Sequence, residues 1–199
     1  MSFPADEQKE KERMRQHIKT AAMMFTILMI LMGGNVPTYA EVGLGIKGGM
    51  LIPDQEPFKD YFDSNVLVGG VLEFDSNMGP TVEANVEYYK GSGSGGDMTI
   101  IPLVLSLKYN FFPRYRTTPF VGIGIGTYFF DQDYKGKSTT KTRYGTRVSG
   151  GVRFLQDRQI NLVFEAARNF TDFNDLNASS FQFTVSVIFD FTPTVISTP

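Results

Sequence analysis

Apolar and polar residues alternate along most of the chain. In residues 98–130, MTIIPLVLSLKYNFFPRYRTTPFVGIGIGTYFF, two apolar runs flank a proline-containing turn. In the first run Ile101, Leu103, Leu105, Leu107, Tyr109 and Phe111 share one parity, and Pro102, Val104, Ser106, Lys108 and Asn110 the other. In the second, Val121, Ile123, Ile125, Thr127 and Phe129 alternate with Gly122, Gly124 and Gly126. Successive side chains of a strand point to opposite faces, so each run has one bulky apolar face and one small or polar face. Pro113, Arg114 and Pro119 punctuate the connection, and the stretch predicts a long β-hairpin.

Six more segments repeat the pattern, giving eight predicted strands. Glu41–Ile52 sets Val42, Leu44, Ile46 and Met50 against Gly43, Gly45, Lys47 and Gly49. Val66–Phe74 opposes Glu73, and Thr81–Tyr89 opposes Glu83, Asn85 and Glu87 to its apolar parity. Thr142–Phe154 carries Arg143, Arg147, Ser149 and Arg153 on its polar parity, Ile160–Arg168 carries Asn161 and Glu165, and Phe181–Phe191 carries Gln182, Thr184, Ser186 and Asp190. No segment has a helical period. The connections 75–80, 113–118 and 155–159 are short, whereas 53–65, 90–97, 131–141 and 170–180 are mostly longer and more polar. Short turns alternating with longer loops predict an all-β, eight-stranded antiparallel up-and-down barrel with two unlike rims.

Periodicity does not say which face lines the barrel. Three features place the apolar face outside. An eight-stranded interior is only just wide enough for side chains, and one face carries Gly43, Gly45, Gly49, Gly122, Gly124, Gly126, Gly145, Gly151, Ser106, Ser149 and Ser186. The same face carries Lys47, Lys108, Arg143, Arg147 and Arg153 with Glu73, Glu83, Glu87, Glu165 and Asp190. Five charges of each sign suit a confined space, where an unpaired ion is very costly; an ordinary solvated exterior would not need the match. Finally, Phe74, Tyr88, Tyr109, Phe111, Phe112, Tyr128, Phe129, Phe130, Phe154, Phe189 and Phe191 gather at strand ends, as aromatic girdles of membrane barrels do. Plain β-propensity also enriches aromatics in strands. A bilayer forbids open sheet edges, so the eighth strand must pair with the first.

IPLVLSLKYNFFP followed by TPFVGIGIGTYFF resembles the central hairpin of small bacterial outer-membrane β-barrel proteins of the OmpA/OmpX and OmpW-like kind. The resemblance spans 41–191. It implies residence in the bacterial outer membrane, contact with outer-membrane lipids, and recognition by the barrel assembly machinery. The end of the eighth strand, Phe189-Asp190-Phe191, is similar to the C-terminal aromatic signal used for that recognition, but TPTVISTP follows it here. Enzymes of this architecture use a histidine, and the sole histidine, His17, lies outside 41–191.

Composition narrows the chemistry. There is no cysteine, hence no disulfide framework or thiolate metal site. Formal charge is −2 over 199 residues, which gives no basic footprint for nucleic acid. Without His or Cys the segment 41–191 lacks the usual catalytic bases and nucleophiles, and no Asp/Tyr/Ser motif marks a substitute. KGSGSGGD lacks phosphate-loop spacing and reads as a flexible loop. The acids of DQEPFKDYFD and TDFNDLN lack EF-hand spacing and read as solvated. No catalytic, cofactor or metal site is expected.

Residues 21–32, AAMMFTILMILM, are the only long apolar run, about half of the roughly 20 residues a membrane-spanning helix needs. Lys19 precedes it, and Thr38 and Ala40 make an A-x-A-like cleavage site. Residues 1–40 therefore read as a secretory signal peptide, 41–191 as the barrel and 192–199 as a short tail. A short membrane anchor or a buried helix is the alternative for 21–32, and Met1 and Met14 both serve as starts.

The ten inward charges predict a salt-bridged plug that fixes strand register, in preference to a narrow polar path or gate, because eight strands leave little lumen. The leading expectation is a non-enzymatic outer-membrane barrel, structural or binding an extracellular ligand through loops 53–65, 90–97, 131–141 and 170–180. An OmpW-like conduit for small hydrophobic molecules would need inward apolar residues beyond Val163 and Ile188. A secreted soluble barrel with an apolar interior is the third reading.

Overall fold

A computed structural model describes residues 41–54, 65–76, 79–93, 96–113, 115–134, 137–157, 159–173, 176–177 and 179–191. The chain divides into units Met1–Tyr39 and Ala40–Pro199, and every described residue belongs to the second. The predicted signal peptide and the tail 192–199 lie outside the described residues.

Nine strands follow in chain order: β1 Glu41–Pro53, β2 Asn65–Asp75, β3 Pro80–Gly93, β4 Gly96–Asn110, β5 Thr117–Tyr134, β6 Lys137–Asp157, β7 Ile160–Phe173, β8 Leu176–Asn177 and β9 Ser180–Phe191. Neighbours from β1 to β7 pair antiparallel, β7 pairs with β9, and β9 returns to β1 from Val42↔Phe191 to Pro53↔Ser180. The sheet thus closes as an eight-stranded up-and-down barrel. The two-residue β8 is an appendage on β7.

The alternation predicted from sequence is the alternation observed. Leu44, Ile46, Val66, Val68, Leu107, Val121, Ile123, Ile125 and Val148 stand on the outer wall, Ile46 at 70% exposure. Water would not tolerate so continuous an apolar wall on a stable monomer, whereas hydrocarbon accepts it. Tyr109, Phe111, Phe154, Phe164, Phe189 and Phe191 are exposed on the half of the wall nearer the short turns, and Tyr88, Tyr144, Phe170, Phe181 and Phe183 on the half nearer the long hairpins. Two aromatics assigned to these girdles belong elsewhere. Tyr128 and Phe130 are 4% and 1% exposed and face the lumen, because they share the parity of Gly122, Gly124 and Gly126.

Strands reach further than hydrophobic alternation indicates. The β3–β4 ladder continues to Gly93↔Gly96 and the β5–β6 ladder to Tyr134↔Lys137, each leaving two residues for the turn. The stretches 90–97 and 131–141, expected as loops, are therefore mostly hairpin. Beyond the apolar belt neither face of the ribbon has to be apolar, so polar and glycine residues carry the ladder without the sequence cue.

Candidate functional site

Among the described residues, charged chemistry is concentrated in the lumen, and the register explains how it fits. Long inward side chains have small lateral neighbours: Lys47 lies between Gly69 and Ser186, Lys108 beside Gly122, Arg147 beside Gly124, Glu165 beside Gly151 and Glu73 beside Gly43. Glycine supplies the space into which its neighbour leans. An added Cβ at Gly151 would run into the Phe164 carbonyl oxygen and lie 2.7 Å from the Phe120 ring, whereas at outward Gly70 the nearest such atom is 4.0 Å away.

Four cations and four glutamates interlock across the barrel. Nearest the short turns, Arg153 Nη2 donates to both carboxylate oxygens of Glu73 at 2.8 and 2.9 Å, and its Nη1 reaches Asp75 at 3.4 Å. Higher, Lys108 Nζ bonds Glu83 at 2.6 Å and Glu165 at 3.1 Å, and sits 4.7 Å from the centre of the Phe120 ring. Lys47 Nζ donates to Asn85 Oδ1 at 2.7 Å and lies 3.4 to 3.7 Å from Glu165, Glu87 and Glu83. Highest, Arg147 forks onto Glu87 through Nη1 and Nη2 at 2.9 and 2.8 Å. Its Nε donates to Asn169 Oδ1, and Nη2 donates also to Gln182 Oε1. Tyr89 and Gln182 donate to the same Glu87 carboxylate. All eight closing strands contribute a group, since Tyr128 of β5 donates to Asn169. Bidentate and charge-assisted bonds are the strongest of their kind and the most exacting in geometry. Such a set holds every strand at one height relative to the others.

Eight of the ten charges singled out in the sequence thus meet in this network: Lys47, Glu73, Glu83, Glu87, Lys108, Arg147, Arg153 and Glu165. Arg143 does not join it. Paired with Tyr128 in the ladder, it is half-buried above the last carboxylate of the network, and no ion pair links it to another described residue. Asp190 is half-exposed and is held by the Asn161 amide. The loop acids between 55 and 64 lie outside the described residues; Asp54, at their edge, pairs with Arg168 at 2.5 Å.

Sequence reasoning undercounted inward apolar residues. Leu51, Leu67, Tyr89, Met98, Ile100, Val104, Tyr128 and Phe130 form one buried cluster at the long-hairpin end. Val71, Phe120, Val163 and Ile188 form a second below the lysines. The signal was available, because each shares parity with a residue already placed inside: Leu67 with Glu73, Tyr89 with Glu87, Ile100 with Lys108. The lysine and Arg147 levels of the network therefore lie between two apolar layers, with Arg153 and Glu73 beyond the lower one.

The family described as "Outer membrane protein beta-barrel domain" matches residues 24–189 of the chain. Among solved structures, Neisserial surface protein A superposes with a TM-score of 0.65 at 13% identity, covering 75% of this chain and 97% of that one. OprG from Pseudomonas aeruginosa gives 0.53 at 13% identity over 77% and 98%. The N-terminal barrel domain of Pseudomonas aeruginosa OprF gives 0.52 at 13% identity over 76% and 99%. No curated protein matches the sequence.

Proposed function

Because the chain belongs to the outer membrane protein β-barrel domain family, and is thus a bacterial outer-membrane protein, we propose that it is a non-enzymatic barrel closed by its own ion pairs. Its role is then structural, or lies in binding at the rim of long hairpins and at 53–65 and 170–180. The observation behind this reading is the interlocked set Lys47, Lys108 and Arg147 with Glu83, Glu87 and Glu165, sandwiched between apolar layers, with Arg153 and Glu73 paired beyond the lower layer. Each of the four network glutamates is already neutralised by a cation of the protein, so the network itself offers no unpaired charge to guide a passing ion. Outside residues 1–40 the chain carries neither His nor Cys, consistent with no acid–base or thiol chemistry. In planar bilayers the protein is expected to give a flat current in ordinary salt. Steady conductance steps would overturn the closed reading.

The same reading takes 1–40 as a leader removed after Ala40, which the amino-terminal mass of the protein recovered from outer membranes would check. It takes Phe189-Asp190-Phe191 as the segment offered to the assembly machinery.

A second reading, passage of small hydrophobic molecules, has its own support. A cavity of about 10 Å³ lies at the long-hairpin end, lined by Leu51, Tyr89, Ile100, Pro102, Tyr128 and Phe130 among others. Beside it the β3–β4 ladder skips from Val86↔Leu103 to Tyr89↔Ile100, where Pro102 has no N–H to give. That volume is about one water, so passage requires the hairpins to part. Crystals soaked with a brominated alkane test it: bromine inside this cavity supports passage, and bromine confined to the outer wall rejects it.

A further inference from the structure

The long-hairpin mouth of the lumen holds a charge that the network below does not use. Arg143 has the inward parity of Arg147 on β6 and stands one step beyond Gly145, toward the long hairpins. It is half-buried, yet its guanidinium makes no hydrogen bond or ion pair with a described residue. A guanidinium offers donors only, and withdrawing it from water without an acceptor is unfavourable.

The side-chain acceptors at the top of the network are already engaged. Asn169 Oδ1 receives Arg147 Nε and the Tyr128 hydroxyl. Gln182 Oε1 receives Arg147 Nη2 and Asn169 Nδ2. The Glu87 carboxylate receives Arg147, Tyr89 and Gln182. Above Glu87 the buried residues of the lumen are apolar or uncharged. Asp54 and Asp131, at the same end, have the outward parity, and Asp54 is paired with Arg168. Lys141, half-buried and two residues further out on the inward face of β6, adds a second positive charge.

Below Arg143 the way down is shut. Its ladder partner Tyr128 and the next inward ring, Phe130, are buried and stacked, with centres 6.5 Å apart. An anion drawn to the mouth therefore stops there and does not descend to Arg147. The planar guanidinium fork matches two oxygens of a carboxylate, sulfate or phosphate group. We propose that Arg143 is the contact for the oxyanion group of a small ligand arriving from the long-hairpin side, with Lys141 strengthening the attracting field. This rests on the reading of that rim as a binding surface and names the class of ligand it takes.

Nitrogen-15 NMR of the full barrel in detergent micelles tests the site, with acetate, sulfate and phosphate each titrated against chloride at equal ionic strength. The Arg143 Nε–H signal and the backbone amides of Thr142 and Tyr144 should shift saturably with at least one oxyanion and not with chloride. The oxyanion that saturates at the lowest concentration names the group the ligand carries. Arg168, already held by Asp54, and the exposed Arg116 of the short-turn end are the controls and should show no saturation. Arg143→Gln, read from the two amides, should weaken binding by roughly tenfold or more, since it removes charge-assisted bonds. Arg143→Lys and Lys141→Gln should weaken it less. Heat-modifiable gel migration checks that each variant folds. A linear drift at Arg143 no larger than that at Arg116, or an affinity unchanged in Arg143→Gln, would overturn the site. Conductance steps would overturn closure and leave this titration as it stands, while an unresponsive Arg143 in a silent barrel would overturn the oxyanion site alone.

Discussion

Glu87 shows how much the lumen depends on individual side chains. Its carboxylate accepts a fork from Arg147, a bond from Tyr89 and one from Gln182, with Lys47 a further 3.6 Å away. Removing one partner of a buried pair leaves an uncompensated charge, at about 3–5 kcal/mol. Arg147→Met should therefore lose that much stability in urea unfolding from vesicles. Adding Glu87→Leu should recover most of it; a double variant as unstable as the sum of the singles would show that the pair is not the stabilising unit. Room is the second residue-scale constraint. Gly151→Ala must push against the Phe164 carbonyl and should cost about 1–3 kcal/mol, whereas Gly70→Ala on the open outer wall should stay within about 0.5 kcal/mol. Both sets of residues were legible in the sequence, because parity assigns a face. What parity cannot assign is height along the barrel. Arg143 has the parity of Arg147 but sits beyond the carboxylates, and Asp190 has the parity of Ser186 but sits at the mouth. Strand tilt and stagger decide height, and those come from closing the sheet.

At the scale of the element, the eight alternating segments predicted from sequence are the eight barrel strands, since hydrocarbon outside and a crowded lumen inside act on every residue of the belt. The same forces are absent above it, which is why the continuations of β3–β4 and β5–β6 were read as loops. There the ladder is held by its own hydrogen bonds and by cross-strand pairs such as Thr140 with Asp131. Amide hydrogen exchange distinguishes ladder from loop. The amides of Asp131 to Asp133 and Ser138 to Thr140 pair across β5 and β6, and those donating in the ladder should exchange much more slowly than a loop's. Complete exchange of all six at the first time point would mean that the ribbon does not persist beyond the belt. The β4–β5 connection teaches the complementary lesson. Its prolines marked a turn, yet nothing in the residue pattern signals that Phe112 is left-handed, because the cost of that backbone is met by hydrogen bonds to the Gly79 and Pro119 carbonyls and from the Thr118 hydroxyl elsewhere in the fold.

For the whole molecule, the layers act in series along the barrel axis: Arg153 with Glu73, the Phe120 layer, the lysine and Arg147 levels, then the Tyr128–Phe130 layer. An ion crossing the lumen must pass each, and a series path is limited by its tightest element. Breaching one layer should therefore leave the barrel closed. Lys47→Gly with Arg147→Gly opens only the ionic levels, and Tyr128→Ser with Phe130→Ser opens only the outer apolar layer. Each pair of substitutions should stay silent in planar bilayers, while the four together should raise the frequency of conductance steps. Gel migration with and without heating would confirm that the four-substitution barrel still folds. Steps from the ionic variant alone would mean that the charges are the sole barrier. Silence from all four would place the remaining barrier below the lysines, at the Phe120 layer, where Val71, Val163 and Ile188 complete the ring, or at the Arg153–Glu73 pair beyond it. Because the lysine and Arg147 levels lie between apolar layers, salt has little access to them. Raising ionic strength from about 0.1 M to about 1 M shortens the screening length to roughly 3 Å in solvent but acts weakly on buried pairs. The unfolding midpoint should accordingly move little with salt; a steep fall would mean that water reaches the network.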